Sequence, residues 1–244
     1  MMLDGCKWFT AQDAARFFWP AFTIGLYSIL YALYRRSGGK WYVTPIIWVP
    51  LGILGLAHVT QTSYGLYKLG SQYLVMMLGP ATVAFAVSIY ERRLLIQRYW
   101  PVLTLGILSG SLVSWVSGWA LAHWLCLPLP IRLSVLPRSV STPFAMPIAG
   151  MLGGMPDLTA VLVILSGVVG AVLGEGVLSL LSVRHSVLKG VALGMAAHGM
   201  GTARAYQIGE KEGVIAGLTM ILAGVANVLT AYPLLSLMKM LHLI

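Results

Sequence analysis

The fold is decided by one stretch of the chain, Pro137-Arg138-Ser139-Val140-Ser141-Thr142-Pro143-Phe144-Ala145-Met146-Pro147. It combines three prolines and three hydroxyl side chains inside an otherwise apolar sequence. Proline removes a backbone donor and clashes with the preceding helical turn, so a regular helix cannot pass through this stretch. Irregular backbone at membrane depth is stable only where protein or a water-filled cavity covers it. We therefore expect a broken or re-entrant helix here.

The composition around this stretch is that of a membrane protein. Of the 244 residues, 58% are hydrophobic and only 9% are charged, and the mean hydropathy is +0.84. A soluble domain carries about 25% charged residues, so a soluble enzyme, a disordered tail and a secreted disulfide scaffold are all excluded. The net charge of +9 resides in short clusters between apolar runs. This pattern is typical of positive-inside loops and not of a nucleic-acid-binding surface.

Long charge-free runs predict an all-α polytopic bundle, because a bilayer core needs about 20 apolar residues in a helix. Six firm spans are expected, in the stretches 17–34, 41–67, 69–90, 99–131, 158–183 and 213–238. Two shorter runs, 139–156 and 190–203, contain proline or glycine and are expected to be broken or re-entrant. We divide the chain into N-terminal spans at 1–70 and a core at 71–244.

The basic clusters bear on orientation. Two spans separate the cluster Arg35, Arg36 and Lys40 from the cluster Arg92, Arg93 and Arg98, so both fall on one side, which the positive-inside rule makes cytoplasmic. Arg184 and Lys189 join that side only if residues 139–156 do not cross the bilayer. The side on which the N-terminus lies stays open.

A second proline interrupts the chain at Pro80, in the middle of the 69–90 stretch. Paired interrupted helices mark the binding sites of many transporters, where half-helix N-termini face an anion. Pro80 and Pro143 are therefore candidates for the two breaks of an internal repeat, with Thr82, Ser141 and Thr142 beside them. The alternative is two unrelated proline kinks.

The segment 196–205, Ala-Ala-His-Gly-Met-Gly-Thr-Ala-Arg-Ala, predicts backbone that bends. His198 is a candidate to bind substrate, carry a proton or pin the bend, because ionisable groups inside membrane spans are costly. Glu175 is the other proton-coupling candidate, with an interfacial or salt-bridged carboxylate as the alternative. Glycines four residues apart, at Gly170/Gly174 and Gly190/Gly194, predict close helix packing.

No nucleophile–base set, metal-ligand cluster or phosphate loop is present in the sequence. An intramembrane hydrolase needs a second buried ionisable partner, such as a paired Asp or a His-Glu-x-x-His helix. We therefore expect neither an enzyme nor a cofactor or metal.

Several motifs in order resemble the LrgB/CidB family of bacterial membrane proteins. They are Leu78–Ala84, Leu136–Pro143, Gly153–Val161, Ala197–Ala203 and Glu210–Gly213, within a match from about Ser71 to Met238. One departure is Ala197, where the family usually has a serine before His-Gly.

This resemblance implies a multi-pass protein of the bacterial cytoplasmic membrane and one of two functions. The first is transport of small carboxylates such as pyruvate, glycolate or glycerate. The second is holin- or antiholin-like control of murein hydrolase activity, autolysis and programmed cell death. Plant plastid relatives fuse this part to an LrgA-like domain, which implies a small LrgA-like membrane partner. Whether the chain forms a homo-oligomer stays open.

As a hypothesis, the substrate carboxylate lies near mid-membrane, where the breaks at Pro80 and Pro143 meet. Hydroxyl groups donate hydrogen bonds, an arginine supplies positive charge, and His198 or Glu175 takes a coupled proton. The arginines have an alternative role, in which they snorkel to the interface. The full set of candidate substrate-binding residues is Pro80, Thr82, Arg138, Ser141, Thr142, Pro143, His198, Gly199, Gly201, Thr202 and Arg204.

Overall fold

The computed structural model describes residues 11–38 and 43–240, and this part of the chain is almost entirely α-helical. Two compact units divide at Pro80, one covering Met1–Pro80 and the other Ala81–Ile244. The sequence had placed this division between residues 70 and 71. Each unit is described by itself.

The N-terminal unit contains α1 (Ala11–Arg36), α2 (Pro45–Val59) and α3 (Tyr64–Met76). Trp19 of α1 packs into one apolar cluster with Val49 and Ile53 of α2. Gly70 brings α3 so close to α1 that a Cβ atom there would lie 2.5 Å from the Ala15 carbonyl oxygen. Small residues at such crossings allow the close backbone approach that stabilises helix pairs in lipid.

The helix break predicted near Pro80 lies at Met77, between α3 and α4 (Leu78–Glu91). Pro80 falls in the first turn of α4. The missing N–H costs nothing there, because a helix leaves its first N–H groups without internal partners.

The second unit continues with two short helices and four long ones. In chain order they are α5 (Arg93–Trp124), α6 (Leu129–Val135) with a following 3₁₀ turn (Leu136–Ser139), α7 (Thr142–Leu152), α8 (Pro156–Leu180), α9 (Ser186–Ile208) and α10 (Glu210–Met240).

Five helical stretches among the described residues are long and apolar enough to cross a membrane. They are Gln12–Arg36, Tyr64–Glu91, Arg93–Trp124, Pro156–Leu180 and Glu210–Met240. The predicted helical membrane bundle is confirmed. In the stretch 41–67, predicted as one full span, the structure describes the 15-residue α2 and, after a turn, the first residues of α3; α2 is about 22 Å long at 1.5 Å per residue.

Residues 129–154 form a hairpin, here named hairpin 1, whose tip is residues 138–141. The end of its second arm returns to the first arm, because the Met155 N–H donates to Ser134 Oγ at 2.7 Å across 21 positions of sequence. Val140 is extended, and α7 starts again at Thr142 with Pro143 in its first turn. The broken helix predicted around Pro143 is therefore confirmed.

The helix α9 is a second hairpin, here named hairpin 2, with its tip at residues 198–199. His198 has φ 50° and ψ −124°, which interrupts the helix. A Cβ atom on Gly201 would overlap the Leu193 carbonyl oxygen, although residues eight apart in a straight helix are separated by about 12 Å along the axis. The chain therefore doubles back at His198, and the predicted bend is confirmed.

Three long helices, α5, α8 and α10, contact both hairpins. One half of each helix packs against hairpin 1, and the other half packs against hairpin 2. Along α8 the contacts run from hairpin 1 to hairpin 2 in the order Thr159 to Ser134, Ser166 to Arg138, Gly170 to Ala196 and Glu175 to Arg204. Along α5 the contacts run from hairpin 2 to hairpin 1, in the order Gly106 to Val191, Gly110 to Met195 and Ser114 to Arg138, followed by Trp115, which shares an apolar cluster with Leu133. Along α10 the order is Ala216 to Gly194, Gly217 to Thr202 and Gly224 to Phe144, followed by Ala231, which shares an apolar cluster with Leu152.

The base of hairpin 2 carries most of the positive charge of this unit. The Lys211 ammonium lies 5.5 Å from the centre of the Tyr99 ring, and Ser186 donates a hydrogen bond to Glu212, so the starts of α5, α9 and α10 share one end. Because hairpin 1 returns to the end of the unit at which it starts, Arg184 and Lys189 lie at this end as well. The positive-inside rule predicts that it faces the cytoplasm.

Cysteine labelling tests this topology. In a protein with Cys6 replaced by serine, a membrane-impermeant maleimide should reach the exposed native Cys126 from one side only. In a cysteine-free background, Met155→Cys should label from that same side, and Arg184→Cys and Lys211→Cys from the opposite side. Opposite labelling within either pair would mean that the enclosed hairpin crosses the membrane.

Close packing next to the tip of hairpin 2 predicts a stability difference between two glycines. Gly201→Ala places a methyl group against the Leu193 carbonyl, whereas a Cβ on Gly176 of α8 meets nothing within 4 Å. Overpacking of this kind costs about 1–3 kcal/mol. Thermal unfolding in detergent should show a lower Tm for Gly201→Ala and an unchanged Tm for Gly176→Ala. Equal Tm values for the two variants would contradict the doubled-back geometry.

Candidate functional site

The tips of the two hairpins meet inside the second unit. The His198 ring, only 4% exposed, lies against the backbone of Ser139. Both tips also contact the same turn of α8, where Ser166 donates to the Arg138 carbonyl at 2.8 Å. Next to it, a Cβ atom on Gly167 would lie 3.7 Å from His198 Nδ1. Since residues 166–167 lie near the middle of α8, the tips meet near mid-membrane.

Polar atoms at this junction lack partners. Ser139 Oγ, Ser141 Oγ and His198 Nε2 are buried and make no hydrogen bond within the part of the chain that the structure describes. Each buried polar group left unpaired costs about 1–3 kcal/mol. Three such atoms at one junction are the arrangement expected of a site whose ligand supplies the missing partners.

The backbone of His198 is strained as well. A positive φ is unfavourable for a residue with a Cβ atom, and such outliers concentrate at functional sites. Thr202 supports the strained residue, since its Oγ1 donates to the His198 carbonyl at 2.9 Å. Gly199 follows directly and completes the turn.

Two helix N-termini face this junction. α7 begins at Thr142, and the second half of α9 (residues 199–208) begins at Gly199, each directly after its tip. Ser141 is the N-cap of α7 but makes no side-chain capping bond. Helix N-termini carry partial positive charge and free N–H groups, so the junction favours an anion.

Arg138 holds the tip of hairpin 1 to α5. Its guanidinium donates to the Ser114 carbonyl at 3.0 Å and to Ser117 Oγ at 3.2 Å. Gly118 makes room for it, because a Cβ atom there would overlap the guanidinium. Within the described residues no carboxylate pairs with Arg138, so its positive charge is not neutralised by the protein.

Arg204 has the opposite environment. It forms an ion pair with Glu175 and donates to Gln207 Oε1 at 2.6 Å. The side chains of Arg204 and Glu175 are 42% and 48% exposed, on the half of α8 that packs against hairpin 2 below its tip. For Glu175 this is the salt-bridged alternative left open by the sequence, and the charge of Arg204 is already compensated.

Some of the other predicted site residues lie in the hairpins, and the rest lie on α4. Thr142 and Pro143 form the first turn of α7 at the tip, while Gly201 serves the packing of hairpin 2. Thr82 lies on α4 one turn before Phe85, whose ring stacks on Phe144 at 5.8 Å. Pro80 belongs to the N-terminal compact unit, and the junction described here is built without it.

The candidate site residues taken from the sequence include neither Ser139 nor Ser166. Nothing in the local pattern distinguishes these residues, since serine is common in membrane helices. Ser139 reaches the junction because the chain turns back at the tip of hairpin 1. Ser166 reaches it because that tip lies against the middle of α8. The described residues contain no group of three or more His, Cys, Asp or Glu side chains able to hold a metal ion.

The strain at His198 predicts an unusual order of stabilities. Glycine tolerates positive φ, whereas alanine loses the imidazole and keeps the strain. His198→Gly should therefore be more stable than His198→Ala by about 1–2 kcal/mol. Chemical denaturation followed by tryptophan fluorescence measures this difference. If alanine is the more stable replacement, as in a regular helix, the backbone at this position is not strained.

Comparisons with known proteins identify one family. The LrgB-like family matches residues 23–237. The uncharacterized protein YwbG of Bacillus subtilis is 38% identical over 197 residues, covering 81% of this chain and 88% of its own. The antiholin-like protein LrgB of Bacillus subtilis is 32% identical over 210 residues, covering 86% and 88%. No solved structure matches. The chain is therefore a multi-pass membrane protein that belongs to the LrgB-like family.

Proposed function

We propose that the protein is a carrier for small carboxylates and that the junction of the two hairpin tips is its binding site. The observation that carries this proposal is the meeting of two opposed hairpins at three buried polar atoms that have no hydrogen-bond partner among the described residues, Ser139 Oγ, Ser141 Oγ and His198 Nε2. A purely structural bundle gains nothing from burying such atoms.

The electrostatics of the junction support an anionic substrate. The N-termini of α7 and of residues 199–208 supply partial positive charge, and the charge of Arg138 has no carboxylate counterpart in the described chain. A carboxylate accepts hydrogen bonds from the serine hydroxyls and from the backbone N–H groups of both helix starts. His198 touches the Ser139 backbone, so the tips must separate to admit a substrate.

The opposed hairpins support transport. Hairpin 1 enters from one end of the unit and hairpin 2 from the other, so displacement of either tip exposes the junction to one side. Carriers of other families use discontinuous helices at mid-membrane in this way for alternating access. We assign the proton-coupling role to His198, since Glu175 is occupied by Arg204.

A second candidate function rests on the relatives. Proteins 32% identical to this chain are named antiholin-like protein LrgB. By this similarity, the chain would regulate murein hydrolase export and autolysis in the bacterial cytoplasmic membrane, together with an LrgA-like partner. Such a regulator needs exposed faces for its partner but no affinity for a carboxylate.

Uptake into proteoliposomes separates the two functions. Labelled pyruvate, glycolate and glycerate are offered to the purified protein, with and without the LrgA-like partner, across an imposed pH gradient. A carrier shows saturable uptake, and Ser141→Ala should reduce its rate at low substrate concentration about tenfold, the effect of losing one buried hydrogen bond. Ser109→Ala is the matched control, since its hydroxyl is exposed and bonds only within α5.

The outcomes are distinct. Uptake that requires the partner would make the protein one half of a two-component carrier. No uptake in any arrangement, with folding confirmed by the thermal unfolding profile, would contradict the carrier and leave the regulator.

A further inference from the structure

A second polar pair lies in the layer where the tips meet. Asn227 of α10 is 1% exposed, and its Nδ2 donates to Ser111 Oγ of α5 and to the Ala223 carbonyl, both at 2.8 Å. Both N–H groups of the amide are thus used. Its Oδ1 is buried and makes no hydrogen bond with any residue that the structure describes.

Contacts of the neighbouring residues with both hairpins place Ser111 and Asn227 at the level of the two tips. On α5, Ser111 lies between Gly110, which contacts Met195 of hairpin 2, and Ser114, which accepts from Arg138 of hairpin 1. On α10, the same holds for Asn227. Gly224 contacts the Phe144 ring, and Val228 packs on the cluster that contains Val140 and Phe144, both of hairpin 1. Ala223 packs with Met195 of hairpin 2.

The chemistry of Asn227 limits what it can bind. An amide oxygen only accepts hydrogen bonds, and turning the amide over would set that oxygen against the Ala223 carbonyl, which also only accepts. The ligand must therefore bring a donor. An ionised carboxylate and a ketone have no donor, whereas a hydroxyl group has one.

We propose that Asn227 Oδ1 accepts the hydroxyl of a 2-hydroxy acid and that it makes the carrier select 2-hydroxy acids over the matching 2-oxo acids. This inference rests on the carboxylate-carrier function proposed above. The carboxylate lies at the serines and helix starts of the tips, and the hydroxyl points toward α5 and α10. Sites that hydrogen-bond a substrate hydroxyl discriminate strongly against analogues lacking it.

Competition assays on matched pairs test the proposal. Unlabelled lactate and pyruvate, and likewise glycolate and glyoxylate, compete with labelled glycolate for uptake into proteoliposomes. The unaltered protein should favour the hydroxy acid of each pair. Asn227→Leu, which keeps the volume and removes the acceptor, should lower that preference about five- to tenfold, as expected for one buried hydrogen bond. The affinity for the oxo acids should change little.

Two further variants keep the test decisive. Asn227→Ser retains an oxygen acceptor and should keep part of the preference even if the leucine variant folds poorly. Thr230→Val is the control, because this exposed hydroxyl, one turn further along α10, bonds only to carbonyls of its own helix.

Failure of the inference differs from failure of the carrier function. Equal loss of affinity for both acids of a pair, or an unchanged preference in Asn227→Leu and Asn227→Ser, would show that Asn227 only joins helices and would overturn the inference. Uptake of neither acid by the unaltered protein would overturn the carrier function itself.

Discussion

The structure depends on one constraint, which is that every backbone N–H and C=O group inside a bilayer must find a partner within the protein. A helix satisfies this demand alone, but the turns at Ser139 and His198 do not. Both turns are therefore placed where α5, α8 and α10 cover them on several sides. The middle of each of these three helices lies at the level of the tips, so the irregular backbone is as far from lipid as the unit allows.

The two hairpins meet this constraint by different means. Hairpin 1 is joined to α5 and α8 by side-chain hydrogen bonds, such as those of Arg138 and Thr159. Hairpin 2 is held by glycines that let backbones touch. Cβ atoms on Gly170 and Gly190 would each lie 2.7 Å from a carbonyl oxygen of the neighbouring helix. Directional side-chain bonds therefore fix the tip of hairpin 1, whereas close backbone packing against α8 and α10 fixes hairpin 2.

Much of this fold could be predicted from the sequence, but the pairing of the breaks could not. Proline at 143 and glycines around His198 indicate interrupted helices, because their backbone chemistry is local. The sequence paired Pro143 with Pro80, since proline is the clearest signal of a break. The structure instead opposes Pro143 with His198, a break that contains no proline. The glycines indicate the bend itself, but its position opposite Pro143 depends on contacts with α5, α8 and α10, and such tertiary contacts leave no local pattern.

The opposed arrangement of the hairpins also explains why the polar junction is compatible with a stable bundle. In each hairpin the helix that leaves the tip presents its N-terminus, and the helix that reaches it presents its C-terminus. Hairpins entering from opposite ends therefore place two positive and two negative helix ends around one point, and their dipoles partly compensate. The Arg138 guanidinium, which pairs with no carboxylate in the part of the chain that the structure describes, adds positive charge to hairpin 1. In the proposed carrier, a bound anion pairs the serine and histidine atoms, so the ligand completes the packing of the unit.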